Sequence, residues 1–524
     1  MLALHAWARR NRGYRRLFVA GGGLAVLAAI AVLGVSAAVG GGEKTGSVAG
    51  EWALPGADLQ NTRNVPGSIN STNVKDLKLA WRVRIRGKGS FGTYATTPIV
   101  TGGVVYTQDI DSNVYAIDLA SGKVIWFHRY NSPSVGPNGV NVVGGVVYGA
   151  TGSSAFALQA STGEQLWTKK LTRNQNEGID MAPGVNNGTV YVSTVPGNAK
   201  GFYVGNGQAI LWALNAKTGA TQWKWDEVPA NLWSNKHTDI NSGGGQWDPP
   251  SFDANGDLYI GVSNPAPWPG AKGLPWGTSR PGPNLYTDSV VKLDHTTGKL
   301  IWYYQLTPHD LYDWDMENSP ILGTVNGKGV VFDGGKAGIV IALDQQTGKL
   351  LWKKKVGIHN GHDNDSKLPL SVLLKKKLPY LVYPGALGGI ESQLAYDGQR
   401  VFAVANNLPG TYTSGSTFKF SVGFDKGTGD FVALDQATGA LVWHHHFDSS
   451  PYGAVSLTND VAFTTTFDGT VWALNSHTGQ LLWHAKLPAG TNTPVAIAGD
   501  TMITAGTFPQ SKTQVPMIVA YRLP

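Results

Sequence analysis

The amino-acid sequence predicts an all-β fold, an eight-bladed β-propeller with tryptophan docking motifs that follows one N-terminal transmembrane or signal helix. A hairpin pattern ending in tryptophan recurs seven times along the chain. Glycine (68 residues) and tryptophan (18 residues) are abundant among the 524 residues, while charged residues make up only 15%. This composition is typical of many short strands joined by tight turns. A long uncharged run near the N-terminus predicts the helix.

The N-terminal segment has the pattern of an export signal. Five arginines lie within residues 1–16, and no residue from 17 to 42 is charged. An apolar helix of this length spans a hydrocarbon core of roughly 30 Å, and arginines before it keep the N-terminus in the cytoplasm. Residues 35–38, Val-Ser-Ala-Ala, also resemble a signal cleavage site. We expect a cell-membrane anchor with the remainder on the extracytoplasmic side, or a secreted or periplasmic protein if the signal is cleaved.

The composition also excludes several kinds of site and partner. The chain has no cysteine, which excludes disulfides, thiolate metal sites, iron–sulfur clusters and covalently attached c-type haem. The net charge is +7, but no stretch interleaves basic and aromatic residues as nucleic-acid-binding motifs do. We therefore expect no nucleic-acid partner.

The repeated pattern is an apolar strand, a turn that contains Thr-Gly or Ser-Gly, and a second strand that ends in tryptophan. Glycine supplies the positive φ that such a turn requires, so each copy predicts a β-hairpin. One hairpin cannot bury both faces, so neighbouring copies must stack, with the tryptophan ring packed on the next unit. The copies cover residues 114–126, 155–167, 211–223, 290–302, 340–352, 431–443 and 471–483.

The two ends of the chain predict how the array closes. Trp81 lies in LKLAWRV with no hairpin before it, and the C-terminus reads as inner strands that lack a final outer strand. If the N-terminal strand completes the last blade, the number of blades becomes eight and no open edge strand remains. The predicted division is a linker and entry segment over residues 43–76 and the propeller over residues 77–524.

Two of the predicted blades carry long insertions. Consecutive tryptophans of the pattern are 79 residues apart between Trp223 and Trp302, and 91 apart between Trp352 and Trp443, whereas about 40 residues suffice for a four-stranded blade. Long loops on a rigid scaffold usually carry function. These insertions contain GGGQWDPP, SNPAPW and PGALGGIESQLAYD, and TPHDLYDWD (307–315) follows the first of them.

The residues of these loops allow two interpretations. Asp313 and Asp315 lie two residues apart in an aromatic-rich loop, where carboxylates are costly unless they are solvated or bound to a metal. Asn264 before proline is also a common turn residue. Trp247 could be a core ring, and Lys336 a surface charge. His309 and Asp310 read as turn residues or as groups that support the site.

In its repeats and loops the sequence resembles the pyrroloquinoline quinone (PQQ) alcohol dehydrogenases, which are eight-bladed propellers with tryptophan docking motifs. The order GGGQW, SNPAPW, RPGPNLYTDSVVKLDHTTGKLIWYYQLTPHDLYDWD carries the resemblance, which continues through GGKAGIVIALDQQTG and PGALGGIESQLAYD. It covers roughly residues 77–524. The repeats alone also resemble those of outer-membrane assembly lipoproteins, which are not enzymes.

The resemblance implies a role for five residues. Trp247 matches the ring that lies flat against the quinone, and Lys336 matches the cation that hydrogen-bonds the quinone oxygens. Asn264 matches an amide ligand of the metal, and Asp313 matches the catalytic aspartate beside that metal. Asp315 matches the extra carboxylate of the lanthanide-type methanol dehydrogenases. The implied cofactors are PQQ and either Ca²⁺ or a lanthanide ion, and such hard cations prefer oxygen ligands.

The sequence also departs from the family pattern. The adjacent cysteine pair of many members is absent, and residues 191–208, where a glutamate ligand of the metal is expected, contain no acid. Asn138-Gly139 stands where the family has Arg-Gly. Glu391 falls near a family asparagine and could restore one oxygen ligand.

Two functions from different classes follow. The first is an exported, membrane-anchored quinoprotein dehydrogenase that oxidises an alcohol by hydride transfer to metal-bound PQQ and passes electrons to a separate acceptor, a cytochrome or a quinone. The alternative is a non-catalytic propeller that acts as an envelope scaffold or assembly protein. Elsewhere, residues 444–446 are three consecutive histidines in a predicted strand. Alternation sends their side chains to opposite faces, which argues against a three-histidine metal site.

Overall fold

The fold is all-β, and a computed structural model describes residues 50–89, 91–198, 201–202, 207–229, 233 and 239–524. Ser47–Pro524 is one compact unit. The predicted helix over residues 17–42 and the basic segment 1–16 lie outside the described residues. Within the described part of the chain, no helix has the length and apolar character needed to cross a membrane.

The strands are short and follow one another closely along the chain. In chain order they are β1 (Lys78–Arg84), β2 (Ile99–Thr101), β3 (Val104–Gln108), β4 (Val114–Asp118), β5 (Val124–His128), β6 (Val140–Val143), β7 (Val146–Ala150), β8 (Ser154–Gln159), β9 (Gln165–Lys170), β10 (Gly184–Asn186), β11 (Thr189–Ser193), β12 (Gly197–Asn198), β13 (Gly201–Phe202), β14 (Ile210–Asn215), β15 (Thr221–Asp226), β16 (Ser242–Gly243), β17 (Ser251–Phe252), β18 (Leu258–Val262), β19 (Pro265–Ala266) and β20 (Ser289–Leu293). They continue with β21 (Leu300–Gln305), β22 (Ile321–Val325), β23 (Lys328–Gly335), β24 (Ile339–Asp344), β25 (Leu350–Lys355), β26 (Tyr380–Val382), β27 (Ala395–Tyr396), β28 (Arg400–Asn407), β29 (Gly410–Ser414), β30 (Thr417–Phe420), β31 (Thr428–Asp435), β32 (Leu441–Phe447), β33 (Ser456–Thr458), β34 (Val461–Thr466), β35 (Thr470–Asn475), β36 (Leu481–Lys486), β37 (Ala496–Ala498), β38 (Thr501–Gly506) and β39 (Met517–Arg522).

Helical structure is confined to single turns in the described residues. One short α-helix, α1 (Leu370–Leu373), lies in the second insertion, and 3₁₀ turns cover Val74–Asp76, Asp365–Lys367 and Phe424–Lys426. The prediction of an all-β chain is therefore confirmed for the part that the structure describes.

Most of the strands belong to four-stranded antiparallel sheets, of which the described residues form eight. One sheet joins β1 to β37–β39, and the others are β2–β5, β6–β9, β10 with β11, β14 and β15, β17 with β18, β20 and β21, β22–β25, β27 with β28, β31 and β32, and β33–β36. The first strands of successive sheets are neighbours, since β2 lies beside β6 and β37, and β27 lies beside β22 and β33. This arrangement is propeller-like. Smaller sheets, β12–β13, β16–β19 and β26–β29–β30, are built from the loops.

The first and last strands of the described residues meet in one sheet, as the sequence predicts. Strand β1 pairs antiparallel with β39, with Trp81 opposite Ala520. The N-terminal strand thereby covers an edge of the C-terminal sheet that would otherwise be free to pair with another chain.

The predicted tryptophan docking motifs are present at seven junctions between sheets. In each, an indole Nε1 donates a hydrogen bond to a carbonyl in the hairpin turn of the next sheet, at 2.8 to 3.1 Å. The pairs are Trp81–Leu119, Trp126–Ala160, Trp167–Ala216, Trp223–His295, Trp302–Gln345, Trp352–Gln436 and Trp443–Ser476. The turn glycine lies against the ring, and Gly348 (φ +69°) is so close that an added Cβ would lie 2.6 Å from Trp302.

This contact predicts that Gly348→Ala lowers the thermal midpoint of unfolding. A non-glycine residue in the left-handed region costs about 1–2 kcal/mol, and overpacking against a ring adds about 1–3 kcal/mol. Gly327 is the matched control, because it has a similar φ of +77° in the same sheet but open space beside it. Differential scanning fluorimetry should show a larger shift for Gly348→Ala than for Gly327→Ala. Equal shifts would mean that the ring contact contributes nothing.

Candidate active site

The predicted site residues lie on loops at the ends of four strands. Trp247 follows β16, Asn264 lies between β18 and β19, Asp313 and Asp315 lie between β21 and β22, and Lys336 follows β23 directly. The two-stranded sheet of β16 and β19 brings the first two loops together. In this way residues that are distant along the chain reach one place.

The structure brings Asn264, Asp313, Asp315 and Lys336 into direct contact. The Asn264 side chain donates from Nδ2 to Asp313 Oδ1 at 2.6 Å, and its backbone N donates to Asp315 Oδ1 at 2.5 Å. Lys336 Nζ lies 3.4 Å from Asp313 Oδ2 and forms a closer ion pair with Asp315 Oδ2. These four side chains therefore lie at one place, and their role there stays a prediction.

The loop that carries Trp247 lies beside the loop that carries Asn264. Gly244 N donates to the Asn264 carbonyl at 3.1 Å, and Ser263 N donates to the Gly245 carbonyl at 2.9 Å. Trp247 comes two residues after Gly245 and is half-buried. The GGGQW loop therefore runs alongside the Asn264 loop, and both contribute backbone to the site.

Local backbone geometry presents Asp313 to the cluster. Asp313 has φ +68°, a conformation that non-glycine residues seldom adopt. Asp310 holds the turn before it, because its carboxylate accepts hydrogen bonds from Tyr312 N at 2.8 Å and Trp314 N at 2.9 Å. Tyr312 is fixed in turn, because its hydroxyl donates a hydrogen bond to the Asp365 carboxylate and forms a second one with the Tyr380 hydroxyl. Asp310 thus supports the loop, as the sequence predicts.

His309, its neighbour in the same loop, also has a supporting position. Its two ring nitrogens lie 3.1 Å from the carbonyl oxygens of Trp276 and Gly282. Burial lowers the pKa of His309, and the positive charge of the nearby Arg280 lowers it further. These contacts tie the loop to the first insertion.

Lys336 is a cation among several buried carboxylates. Its Nζ lies 3.6 Å from Glu317 Oε2 in addition to the two aspartates, and Glu391 also acts on it electrostatically. Lys336 and Asp313 are each 7% exposed, and Asp315 is 1% exposed. Asp313 and Lys336 therefore keep a small exposed fraction, while Asp315 is almost fully enclosed.

Carboxylates outnumber cations in this cluster. Burial raises the pKa of Asp313 and of Glu317 well above the usual range, and Lys336 offsets only part of this effect. Burial likewise raises the pKa of Glu391 to about 7. Burial alone would lower the pKa of Lys336, but the four carboxylates together raise it well above its usual value. A second cation would relieve this imbalance.

The donor set fits a hard cation. Asn264 Oδ1 and Glu391 Oε1 are buried and accept no hydrogen bond from the described residues. An amide oxygen beside carboxylates is the ligand chemistry that Ca²⁺ and related ions prefer. Asn264, Asp313 and Asp315 can therefore hold such an ion, with Lys336 beside it.

Two acidic residues at or near the site were missed by sequence reasoning. Glu317 is 5% exposed and follows Asp315 by two residues. Glu227 is fully buried at the end of β15, where it accepts hydrogen bonds from Ser193 Oγ (2.6 Å), Gly245 N (2.6 Å) and Gln246 Nε2 (3.0 Å). An Asp-x-Asp-x-Glu alternation signals Glu317. No sequence signal marks Glu227, because only the fold brings it to the acid-free segment 191–208.

Asn138, which stands where the family has arginine, forms hydrogen bonds with backbone carbonyls. Asn138 has φ +41°, its N donates to the Asp180 carbonyl at 2.6 Å, and its Nδ2 donates to the Asp109 carbonyl at 2.8 Å. Asn138 Oδ1 is buried and accepts no hydrogen bond from the described residues. The side chain therefore ties two loops together and adds no positive charge.

Glu227 predicts a pH dependence of stability. Burial raises the pKa of Glu227 from its usual 4.5 to about 7, so the folded state keeps a proton that the unfolded state loses. The contribution of Glu227 to the free energy of unfolding is complete below pH 4.5. It decreases as pH rises to about 7, by up to about 1.4 kcal/mol per pH unit. Denaturant unfolding of Glu227→Gln should show a smaller loss over this interval.

Glu164→Gln, in an exposed turn, is the matched control for this change. It should unfold with the pH dependence of the parent chain. If Glu227→Gln did the same, Glu227 would not titrate between pH 4.5 and 7 in the folded protein.

Two family models match parts of this chain. The chain matches the family model described as glucose/ethanol/alcohol dehydrogenase, beta-propeller domain, over residues 52–140 and 177–356. Residues 385–515 match the model described as outer membrane protein assembly factor BamB. The first match contains Trp247, Asn264, Asp313, Asp315 and Lys336.

Two individual dehydrogenases match this chain over slightly more than half of its length. The quinohemoprotein alcohol dehydrogenase of Comamonas testosteroni is 32% identical over 306 residues, which cover 52% of this chain and 41% of that protein. The quinohemoprotein alcohol dehydrogenase ADH IIB of Pseudomonas putida is 31% identical over 332 residues, or 57% of this chain and 45% of the relative. These matches span less than half the length of either relative.

Solved structures agree in fold over nearly the whole chain. The crystal structure of the Comamonas testosteroni quinohemoprotein alcohol dehydrogenase superposes with a TM-score of 0.77 and 25% identity, covering 90% of this chain and 80% of that one.

Proposed function

The chain belongs to the glucose/ethanol/alcohol dehydrogenase β-propeller family, and we propose that it is an exported, membrane-anchored quinoprotein dehydrogenase that oxidises an alcohol. The single observation that carries the proposal is the buried cluster of Asn264, Asp313, Asp315 and Lys336. A non-catalytic propeller has no need of several carboxylates that share one lysine, because buried carboxylates without enough partners are costly.

The scaffold of this enzyme is an eight-bladed propeller, with each four-stranded sheet as one blade. The ring of first strands and the pairing of β1 with β39 support this count. The site loops then project from blades whose positions are fixed by the tryptophan contacts. A rigid ring of this kind keeps catalytic groups in place while the loops vary.

The oxygen ligands define what the site binds. Asn264 Oδ1, Asp313 and Asp315 would hold Ca²⁺ or a lanthanide ion, with Trp247 and Lys336 beside the quinone. When bound, PQQ supplies the hydride acceptor and the hard cation polarises its reacting carbonyl. Lys336 also limits the net negative charge of the cluster.

Asp313 is the general base in this proposal. Its Oδ1 is fixed by the 2.6 Å hydrogen bond from Asn264, while Oδ2 has only the 3.4 Å contact with Lys336. Oδ2 is therefore the atom that would take the proton of the alcohol hydroxyl. Because burial raises the pKa of Asp313, the carboxylate is a stronger base than an exposed aspartate.

The electron acceptor is a separate molecule in this proposal. The chain has no cysteine for covalent attachment of a c-type haem, so electrons would pass to a separate cytochrome or quinone. The basic segment 1–16 and the apolar run 17–42 support export and anchoring in the cell membrane.

Reconstitution tests the proposal. The full-length chain in detergent should oxidise short alcohols with an artificial electron-accepting dye after incubation with PQQ and either CaCl₂ or LaCl₃. Removal of the cation with a chelator should abolish turnover, and its return should restore it. The proposal fails if neither cation supports oxidation of any alcohol under conditions in which the chain remains folded.

A second candidate function is favoured by the C-terminal match. Residues 385–515 match the BamB model, and residues 191–208 contain no acid. A chain that serves as an envelope scaffold would bind neither PQQ nor Ca²⁺ at the cluster. The reconstitution experiment therefore also separates the two candidates.

A further inference from the structure

A second cluster of metal-ligating side chains lies on strand β32, outside the candidate active site. His444 and His446 are both exposed and lie on one face of the strand, while His445 is half-buried on the other face, where its ring centroid lies 4.9 Å from that of Phe447. Alternation along the strand therefore separates one histidine from the other two, as the sequence predicts. His444 and His446, which share one side of the strand, both point to a carboxylate on the neighbouring strand.

That carboxylate belongs to Asp430 on β31, which lies opposite His446 in the sheet. His444 Nε2 and His446 Nδ1 each lie 2.8 Å from Asp430 Oδ1. The side chain of Asp430 is only 12% exposed, whereas those of His444 and His446 are 46% and 48% exposed. The ligand atoms of the three residues all lie within 4.8 Å of one another. They form a shallow depression with the Asp430 carboxylate at its floor and the two imidazole rings at its edge.

A further residue fixes the carboxylate in this position. Asn407 Nδ2 donates to Asp430 Oδ2 at 2.9 Å, and Asn407 Oδ1 accepts from Ile358 N at 2.9 Å. The backbone N–H of Ile358 therefore determines which end of the amide faces Asp430. Carboxylates and imidazoles that bind metals are usually held by such outer hydrogen bonds. Asp430 Oδ1 is left directed at the histidines.

We propose that Asp430, His444 and His446 bind a divalent first-row transition-metal ion, of which Zn²⁺ is the representative. Two imidazole nitrogens and one carboxylate oxygen are a ligand set that such ions take, with water in the remaining position. At metal–ligand distances of about 2.0–2.2 Å, tetrahedral geometry separates the ligand atoms by about 3.3 Å. The histidine nitrogens lie 2.8 Å from Asp430 Oδ1 and within 4.8 Å of each other, so each must move about half an ångström away from the carboxylate while the two nitrogens come to about 3.3 Å from each other. Exposed imidazole rings make that movement without disturbing the sheet.

The chemistry separates this site from the carboxylate cluster at Asp313. Imidazole nitrogen is a softer ligand than carboxylate or amide oxygen, so the histidine pair selects Zn²⁺, Co²⁺, Ni²⁺ or Cu²⁺ over Ca²⁺. In the metal-free protein the ring nitrogen that faces Asp430 donates its N–H to the carboxylate. On metal binding that nitrogen gives up its proton, and the neutral ring then carries its single proton on the other nitrogen. The inference therefore holds whether or not the chain oxidises alcohols.

Titration of the full-length chain with Co²⁺ and Zn²⁺ tests the proposal. The chain is first saturated with Ca²⁺, so that the oxygen ligands at Asp313 are occupied. Co²⁺ should then give visible d–d absorption from a site with nitrogen ligands, and Zn²⁺ should displace it. Isothermal calorimetry should show Zn²⁺ affinity at least about tenfold weaker in His444→Ala and in His446→Ala, since even outer partners of a ligand are worth 10–100-fold.

His445→Ala is the matched control, because it removes the histidine between the two ligands without touching Asp430. It should bind Zn²⁺ and Co²⁺ like the parent chain. His444 and His446 are exposed, so their alanine variants should keep the metal-free thermal midpoint, and their loss of binding would then report the site alone. Equal Zn²⁺ affinities for the parent chain, His444→Ala and His446→Ala would overturn the proposal and leave a hydrogen-bonded His–Asp cluster only.

Discussion

Replacing Asp313 with asparagine is expected to lower the kcat of alcohol oxidation by about 10²–10⁴-fold, the usual contribution of a positioned general base. The amide keeps the size of the side chain and can still contact Asn264, so the loop should retain its shape. It has no basic oxygen to take the proton of the alcohol. Dye-linked oxidation by the reconstituted full-length chain measures the effect, with Asp294→Asn in a half-buried hairpin turn as the control.

The pH profile of the same assay identifies the base. Because protonation of Asp313 removes the base, kcat/KM should fall as pH decreases through the pKa of this carboxyl. Burial raises that pKa and the bound cation lowers it. This acid limb should disappear in Asp313→Asn. Turnover by Asp313→Asn equal to that of the parent chain would assign the proton to another group.

Replacing Lys336 with methionine is expected to cost about 3–5 kcal/mol of folding free energy, the range for removing one partner of a buried ion pair. Methionine fills a similar volume but leaves Asp313, Asp315 and Glu317 without their shared cation. Denaturant unfolding measures the loss, which should be larger at high pH because the buried carboxyls are then ionised. Lys328→Met, at the exposed start of the same strand, is the control and should change stability little.

The same variant should respond more strongly to a hard cation. Without Lys336 the cluster has a larger surplus of negative charge, so added Ca²⁺ or La³⁺ should raise the thermal midpoint of Lys336→Met by more than that of the parent chain. If the cation raised both midpoints equally, the carboxyl groups would be protonated in the folded protein and would hold no cation.

The sheets were predictable because their signals are local. Each hairpin combines a turn glycine with an apolar strand on either side, and its tryptophan follows at a fixed offset, as in residues 340–352. Such a unit has few ways to fold and must stack on copies of itself. Closure through β1 was predictable for a related reason, since Trp81 lacks a hairpin of its own.

The site was predictable only where residues lie in a recognisable loop. Asn264, Asp313, Asp315 and Lys336 could be proposed together because the loops that carry them resemble those of one family. Glu227 could not, because its contact with Ser193 joins the ends of two strands of one sheet through side chains that no motif marks. The surplus of carboxylates also depends on burial, which raises the pKa of Glu391 and leaves no trace in the order of residues.

Cation-dependent binding of PQQ tests the central claim most directly. The full-length chain in detergent is titrated with PQQ in the presence of CaCl₂, of LaCl₃ or of a chelator, while quinone absorbance and tryptophan fluorescence are followed. We expect one PQQ to bind per chain only when one of the cations is present, and we expect Asp315→Ala to lose this binding. Failure to bind PQQ with either cation, or binding that is unchanged in Asp315→Ala, would contradict the account and favour the scaffold function.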